Sequence, residues 1–403
     1  MTNQRGQSWL PTSSSRALLV TAGVILVASF SRCRTAMGSS SSSPSCATTA
    51  GTGTTSTAQE AAAAAAGTSN YTSEDENLTQ LTVEAAAKLG ASRPVLVPRW
   101  VTRISRAVDR CVLAILHCAW CWDSSSRRRR PPPNSKLSLQ VLVWKAMVGK
   151  DPTSPAFDGG LAYDMLPPFV RVLVPRRRFS PKLMIHTIME IRIVYLDRCV
   201  REIADKARAR DPSVKVRLVS MGAGYDVRSM RLRVEGVVDE AVEFDLPDVV
   251  EAKAELLQSE RFRRSRPEIA EDKLPRLRAI DLNEVQLVKV KLEEMLRQPA
   301  KGDDNWHTIF LFEAVLMYLD PGAPAALLRT CRQVIDSDSD TASDHRQRAA
   351  GGGSLCFADD LEELSGSNNR DVAARFLAGC GWKLLDWLPR GGRSRHMGYA
   401  ELA

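Results

Sequence analysis

Apolar residues recur at three- and four-residue steps within residues 77–122, where Ile104, Val108, Val112, Ile115 and Ala119 share one stripe. That spacing predicts helix. The run RRRRPPPN at 127–134 ends the pattern, because proline inside a helix removes a donor and clashes with the preceding turn; a surface loop is predicted. After residue 214 the period changes. Residues 216–221 (VRLVSM) and 241–245 (AVEFD) are short β-branched and aliphatic runs, as is the apolar stretch at 309–312 (IFLF). Runs of this length with turn residues at their ends predict buried strands. Helical stretches lie between them, and this alternation predicts an α/β fold with a mostly parallel sheet and helices on both faces. The polar stretch 336–353, DSDSDTASDHRQRAAGGG, is expected to be a loop before a strand at 354–358.

The N-terminal region follows neither period. Residues 17–30, ALLVTAGVILVASF, are too few for a confident membrane span and suit a signal-peptide core, with Arg5 and Arg16 ahead of them. A tract rich in Ser, Thr, Ala and Gly follows, and the first acid is Glu60. Two readings stay open: a bipartite leader like those of proteins sent to secondary plastids, or an ordinary signal peptide or anchor with a stalk. A plastid or secretory destination is expected from either, and a cytoplasmic one without a leader. Membrane association is expected only if the apolar run is retained. The chain divides into a leader and linker at 1–75, a helical extension and basic loop at 76–136, and the α/β domain at 137–403.

Composition narrows the class. The 403 residues are 44% hydrophobic and 25% charged, which excludes a wholly disordered chain, a collagen and a multi-span membrane protein. The net charge of +8 is concentrated in the leader and in arginine blocks at 127–130 and 176–178. No aromatic residues interleave those blocks as a base-stacking platform would need, so nucleic acid is not an expected partner. Nine cysteines, odd in number and irregularly spaced, do not form a disulfide framework. Cys111, His117, Cys118 and Cys121 lie in an apolar helical stretch with no second ligand pair, so no metal is expected there.

The chemistry is concentrated after residue 214. Gly222-Ala223-Gly224 follows the first strand directly, and the strand at 241–245 ends in Asp245. Glycines let backbone approach a ligand, a helix start offers free N–H groups, and an acid at the next strand end can accept from ribose hydroxyls. A purely structural turn would also explain the glycines. The full Gly-x-Gly-x-x-Gly fingerprint is absent, since Arg228 and its neighbours stand where the third glycine would be. This disfavours a dinucleotide oxidoreductase and favours a mononucleoside ligand such as S-adenosylmethionine.

Four segments then resemble one family in order and spacing: EIRIVYLD at 190–197, MGAGYDVRSMRL at 221–232, EFDLPDVVEAKAELL at 243–257 and TIFLFEAVLMYLDP at 308–321. They resemble motifs of the leucine carboxyl methyltransferase family over about residues 137–388. The resemblance implies a class I, Rossmann-like methyltransferase fold with a helical N-terminal lid, S-adenosylmethionine as donor, and O-methylation. The acceptor it implies is a carboxylate, on a protein C-terminal leucine or a small molecule. It further implies that Gly222 and Gly224 meet the methionine moiety of the donor and Asp245 its ribose. Asp281 and Leu282 would lie near the adenine, Glu313 beside the donor, and Arg192 on the donor carboxylate. Two departures stand out. Val227 replaces the family's usual threonine, and the family's N-terminal lysine has only Lys145 as its nearest candidate. These departures keep a non-catalytic binding protein open as an alternative. No general base is expected, because a carboxylate is already a nucleophile and needs chiefly to be held in line. The arginines at 176–178 are read either as a cationic rim that steers an anionic acceptor or as a solvated loop.

Overall fold

The structure is a computed structural model that describes residues 73–91, 133–166, 170–171, 184–297, 305–340, 352–361, 369–389 and 396–403. The leader, the 92–132 stretch with its cysteines and arginines, and the 176–178 triplet lie outside the described residues. Residues 71–403 form one compact unit.

Helices α1 (Ser73–Lys88), α2 (Pro133–Gly149), α3 (Leu161–Met165) and α4 (Met184–Arg210) precede the sheet. Helix α1 stops where Gly90 adopts φ +65°, with Ala91 N–H on Ala86 O at 2.8 Å and Gly90 N–H on Ala87 O at 3.3 Å. That pair of bonds is a Schellman C-cap, which needs a residue at ease in the left-handed region. Helix α2 begins at Pro133, inside the stretch expected to be a loop. Proline is tolerated in the first helical turn, where its missing N–H would have no intrahelical partner.

The strands are β1 (Lys215–Met221), β2 (Glu240–Asp245), β3 (Arg276–Ala279), β4 (Trp306–Glu313), β5 (Gly353–Asp359), β6 (Trp382–Pro389) and β7 (His396–Leu402). Helices α5 (Arg228–Val234), α6 (Pro247–Gln258), α7 (Glu260–Ser265), α8 (Val285–Arg297), α9 (Ala323–Asp340) and α10 (Arg370–Ala378) connect them. The sheet order is β3-β2-β1-β4-β5-β7-β6. β1 to β5 pair in parallel, and β7 is antiparallel to both β5 and β6. This is the class I methyltransferase arrangement expected from the sequence.

Successive side chains leave a strand on opposite faces. Val219 and Met221 of β1, with Phe310 and Phe312 of β4, pack on one side against Leu292 of α8, Leu328 of α9 and Leu377 of α10. Val216, Leu218, Ile309 and Leu311 face the other way, toward α4 and the end of α1. Strands covered on both faces read as continuous apolar runs, which is why these were visible in the sequence. The expected 336–353 loop is corrected at its two ends, and residues 341–351 lie outside the described residues. Helix α9 continues to Asp340, so residues 336–340 are helical, and β5 starts at Gly353.

The chain runs β1, β2, β3 toward one edge and returns to place β4 on the far side of β1. A crevice opens outside the carboxyl ends of strands at such a switch point.

Candidate active site

Each strand that ends at the switch point delivers one piece of the site. β1 gives way to Gly222 at φ +67° and Gly224 at φ +52°. A Cβ on Gly222 would stand 2.3 Å from Val315 Cγ2, so the space there belongs to the neighbouring turn. The Gly222 N–H donates to Phe244 O at 2.8 Å, tying the glycine turn to β2. β2 ends in Asp245, whose Oδ2 accepts from Gly224 N–H at 2.5 Å and whose Oδ1 accepts from Leu246 N–H at 2.8 Å. Burial pushes the Asp245 carboxyl up, against the pull of those two N–H groups. β4 ends in Glu313, and Ala314 follows in the left-handed region at φ +53°. A non-glycine residue held there stores strain, a state found preferentially at functional sites.

These residues line one cavity of about 570 Å³. Its polar wall carries Gly222, Gly224, Asp245 and Asp281, and Leu282 with Ile280 forms an apolar stretch beside them. Helix α2 contributes Ser138, Val141, Trp144 and Lys145, while α4 contributes Ile185, Ile188, Met189 and Arg192. The turn after β4 closes the remaining side with Val315, Met317, Tyr318 and Leu319.

A chain of buried charges underlies the cavity. Arg192 Nη2 donates to Glu313 Oε1 at 2.7 Å, and Lys145 Nζ lies 3.0 Å from the same oxygen. Arg228 Nη1 donates to Glu313 Oε2 at 2.7 Å and to Asp226 Oδ2 at 2.6 Å. Arg228 Nε donates to Asp197 Oδ1 at 2.7 Å, and Arg231 binds the other Asp197 oxygen. Lys145 closes the loop at 3.2 Å from Asp226 Oδ2. Burial opposes ionisation of Glu313, but Lys145, Arg228 and Arg192 outweigh it and hold this carboxyl well below the usual range. Asp226 behaves alike: burial raises it, and Arg228 with Lys145 more than compensates.

All seven residues singled out from the sequence, Arg192, Gly222, Gly224, Asp245, Asp281, Leu282 and Glu313, meet on this one cavity. Lys145, the nearest candidate for the family's lysine, is there too. Val227 is buried beside Met230 and Leu257. Sequence reading missed Asp226 and Arg228. Arg228 was noted only as the occupant of a missing glycine's place, yet it is a fully buried hub for three acids. Both residues stand in the quoted GAGYDVR segment, which was the available signal. Among the described residues no cluster of His, Cys, Asp and Glu is arranged to hold a metal ion, and no helix is long and apolar enough to cross a membrane.

The residues present fit S-adenosylmethionine. The two glycines offer backbone without side chains, Asp245 can accept from hydroxyls, and Leu282 offers an apolar surface. Residues 138–332 match the leucine carboxyl methyltransferase family. Over 180 residues the chain is 32% identical to tRNA wybutosine-synthesizing protein 4 of Homo sapiens, a match covering 41% of this chain and 25% of that protein. The Rattus norvegicus protein of the same name is 28% identical over 180 residues, covering 40% and 24% respectively. The chain thus spans about a quarter of the length of these relatives. Among solved structures, magnesium protoporphyrin IX methyltransferase from Synechocystis PCC 6803 with bound SAM matches at 11% identity and a TM-score of 0.31, over 64% of this chain and 95% of that one. A likeness this weak adds nothing to the topology read directly from the sheet. The motifs in order and the switch-point cavity all fall within residues 138–332, the segment that matches the leucine carboxyl methyltransferase family, and the cavity is one suited to S-adenosylmethionine as methyl donor.

Proposed function

We propose that this chain transfers the methyl group of S-adenosylmethionine to a carboxylate oxygen. The observation that carries this reading is the composition of the cavity wall. It joins a donor cradle to buried cations, yet the described lining holds no histidine. Two of its acids are held ionised by cations, Glu313 by Lys145, Arg228 and Arg192, and Asp226 by Arg228 and Lys145. An alcohol acceptor would need a base to take its proton, whereas a carboxylate needs only to be positioned.

The donor supplies an electrophilic methyl on a sulfonium sulfur. The chain's own residues then have these roles. Gly222 and Gly224 let backbone lie against the methionine moiety, and Asp245 accepts from the ribose hydroxyls. Asp281 and Leu282 border the adenine. Arg192 and Lys145 place positive charge where the donor carboxylate comes to rest, a geometry suited to a guanidinium fork. Trp144, Ile188, Met189 and Tyr318 line the rest of the cavity with apolar surface, which limits water around the reacting atoms.

The relatives' name favours a second reading, in which the acceptor is attached to a tRNA. Basic blocks without interleaved aromatics speak for a small-molecule or protein carboxylate instead. A transfer assay with tritiated S-adenosylmethionine on lysate decides between them. Label released by mild base and resistant to ribonuclease supports a protein or small-molecule methyl ester. Label lost to ribonuclease supports the tRNA-linked acceptor. Donor binding without transfer to any fraction would leave a non-catalytic binding protein. The leader at 1–75 and its plastid or secretory destination belong to the same proposal, tested by N-terminal sequencing of the protein from its native cell.

A further inference from the structure

A carboxylate that does not itself line the cavity holds one of the cavity's walls in place. Asp359, the last residue of β5, is fully buried. Its Oδ2 accepts from Val315 N–H at 2.7 Å and Leu316 N–H at 2.8 Å. Its Oδ1 accepts from Met317 N–H at 3.1 Å and from Asp360 N–H at 2.9 Å. Three successive backbone donors of the turn after β4 therefore converge on one side chain. The turn needs such a partner, because it begins at the strained Ala314 and continues as a single 3-10 turn, Leu316–Tyr318. Such a short element supplies few bonds of its own.

The far end of the turn is also tied. Asp320 N–H donates to Asn283 Oδ1 at 2.8 Å, on the loop that carries Asp281 and Leu282. Between the two ties, the Val315 side chain occupies the space above Gly222. The turn thus bridges the glycine side of the cavity and the Asp281 side, and its separation from both follows from where Asp359 and Asn283 hold it.

We propose that Asp359 is a positioning residue that sets the donor half of the cavity by clamping the 314–319 turn between the glycine turn and the 281–283 loop. It acts through backbone amides and through the Val315 side chain. The inference rests on the reading of the cavity as a donor site.

Calorimetric titration of the full chain with S-adenosylhomocysteine tests it, because affinity and active fraction are read separately. Asp359→Asn keeps the shape but turns an amide NH2 toward one pair of N–H donors. The expected result is a Kd raised about tenfold with an unchanged binding stoichiometry, since loss of two charge-assisted hydrogen bonds is partly relieved by local rearrangement. Asn283→Ala, which frees the other end of the turn and leaves the core intact, should raise the Kd in the same direction by a smaller factor. An unchanged Kd in both variants, with only stoichiometry or melting temperature reduced, overturns the inference and leaves Asp359 a structural acid. No heat with the wild-type chain overturns the donor reading itself, and this inference with it.

Discussion

Arg192 and Glu313 are 121 positions apart in the chain and meet at 2.7 Å, with Lys145 on the same carboxylate oxygen at 3.0 Å. The cation assigned to the donor's carboxylate is thus already engaged by an acid of the cavity wall. A bound carboxylate must share Arg192 with Glu313, which tempers what that arginine contributes. Arg192→Ala is expected to weaken S-adenosylmethionine binding by about 1.5 kcal/mol, the low end of what one hydrogen bond to a charged group contributes. Its melting temperature should fall less than that of Glu313→Gln, because Lys145 and Arg228 still satisfy Glu313. Titration and thermal melts of both variants check the two halves.

The glycine pair separates strain from steric conflict. Gly222→Ala combines a left-handed backbone with a Cβ 2.3 Å from Val315 Cγ2. Gly224→Ala carries only the backbone cost, because its nearest neighbour is Ser138 Oγ at 3.6 Å. The second change should cost about 1–2 kcal/mol. The first should cost clearly more, because Val315 is fixed by the bond from its N–H to Asp359 and cannot retreat freely. Urea denaturation of both variants tests the order, and equal losses would show that Val315 moves.

Strands β1, β2 and β4, the glycine turn and Asp245 were legible because buried parallel strands are continuous apolar runs and the acid ends one of them. The charged scaffold was less legible. Arg228 meets Asp197 and Glu313 across 31 and 85 positions, and no local spacing records such a pairing. The quoted motif at 243–257 also hid a structural partner. Glu243, its first acid, and Lys253, its one basic residue, pair with each other at 2.5 Å with both side chains buried. Asp359 had no signal beyond an acid after a strand, since its partners are backbone amides. The start of α2 is hidden in the sequence because proline, which breaks a helix from within, can also begin one.

That buried pair yields a stability prediction. Lys253 Nζ also donates to Asp226 O at 2.6 Å, so one ammonium joins the β2 core to the turn that carries Asp226 and Arg228. Burial pushes the Glu243 carboxyl up even with Lys253 beside it. Lys253→Met leaves Glu243 with the Ser229 hydroxyl as its donor and should destabilise by about 3–5 kcal/mol, the cost of orphaning one half of a buried pair. The double variant Lys253→Met with Glu243→Gln should recover part of that loss. A double variant no more stable than Lys253→Met alone would show that Glu243 is not the source of the penalty.

Asp245 is placed to act on the ligand more than on the fold, since its two hydrogen bonds are to neighbouring backbone N–H groups that asparagine can partly retain. Asp245→Asn should weaken donor binding by about 1–3 kcal/mol while shifting the melting temperature of the ligand-free chain little. Calorimetry alongside a thermal melt without donor checks both. A large melting shift with no change in affinity would move Asp245 from the binding role to the scaffold.

Glu313 gives the protein an acid-sensitive component of stability with a definite sign. Its folded pKa lies well below the ordinary 4.5, because Lys145, Arg228 and Arg192 overcome the effect of burial. A depressed carboxyl contributes stability that is complete above its unfolded value and is lost as pH falls through its folded one. The affected window therefore lies below about pH 4.5. Asp359 runs the other way: burial raises it to about 6, so the fold binds its proton more tightly and loses stability as pH rises from about 4 to 6. The two effects separate in urea titrations of wild type and Glu313→Gln. At pH 7 the variant should be less stable by about 3–5 kcal/mol, because three cations lose a shared anion in a buried site. At pH 3.5 the gap should narrow, because the unfolded wild-type chain takes up the glutamate proton that the folded carboxylate resists, and this lowers the wild-type stability. A gap that stays constant from pH 7 to pH 3.5 would mean that Glu313 does not titrate in this window and that another acid accounts for the acid limb.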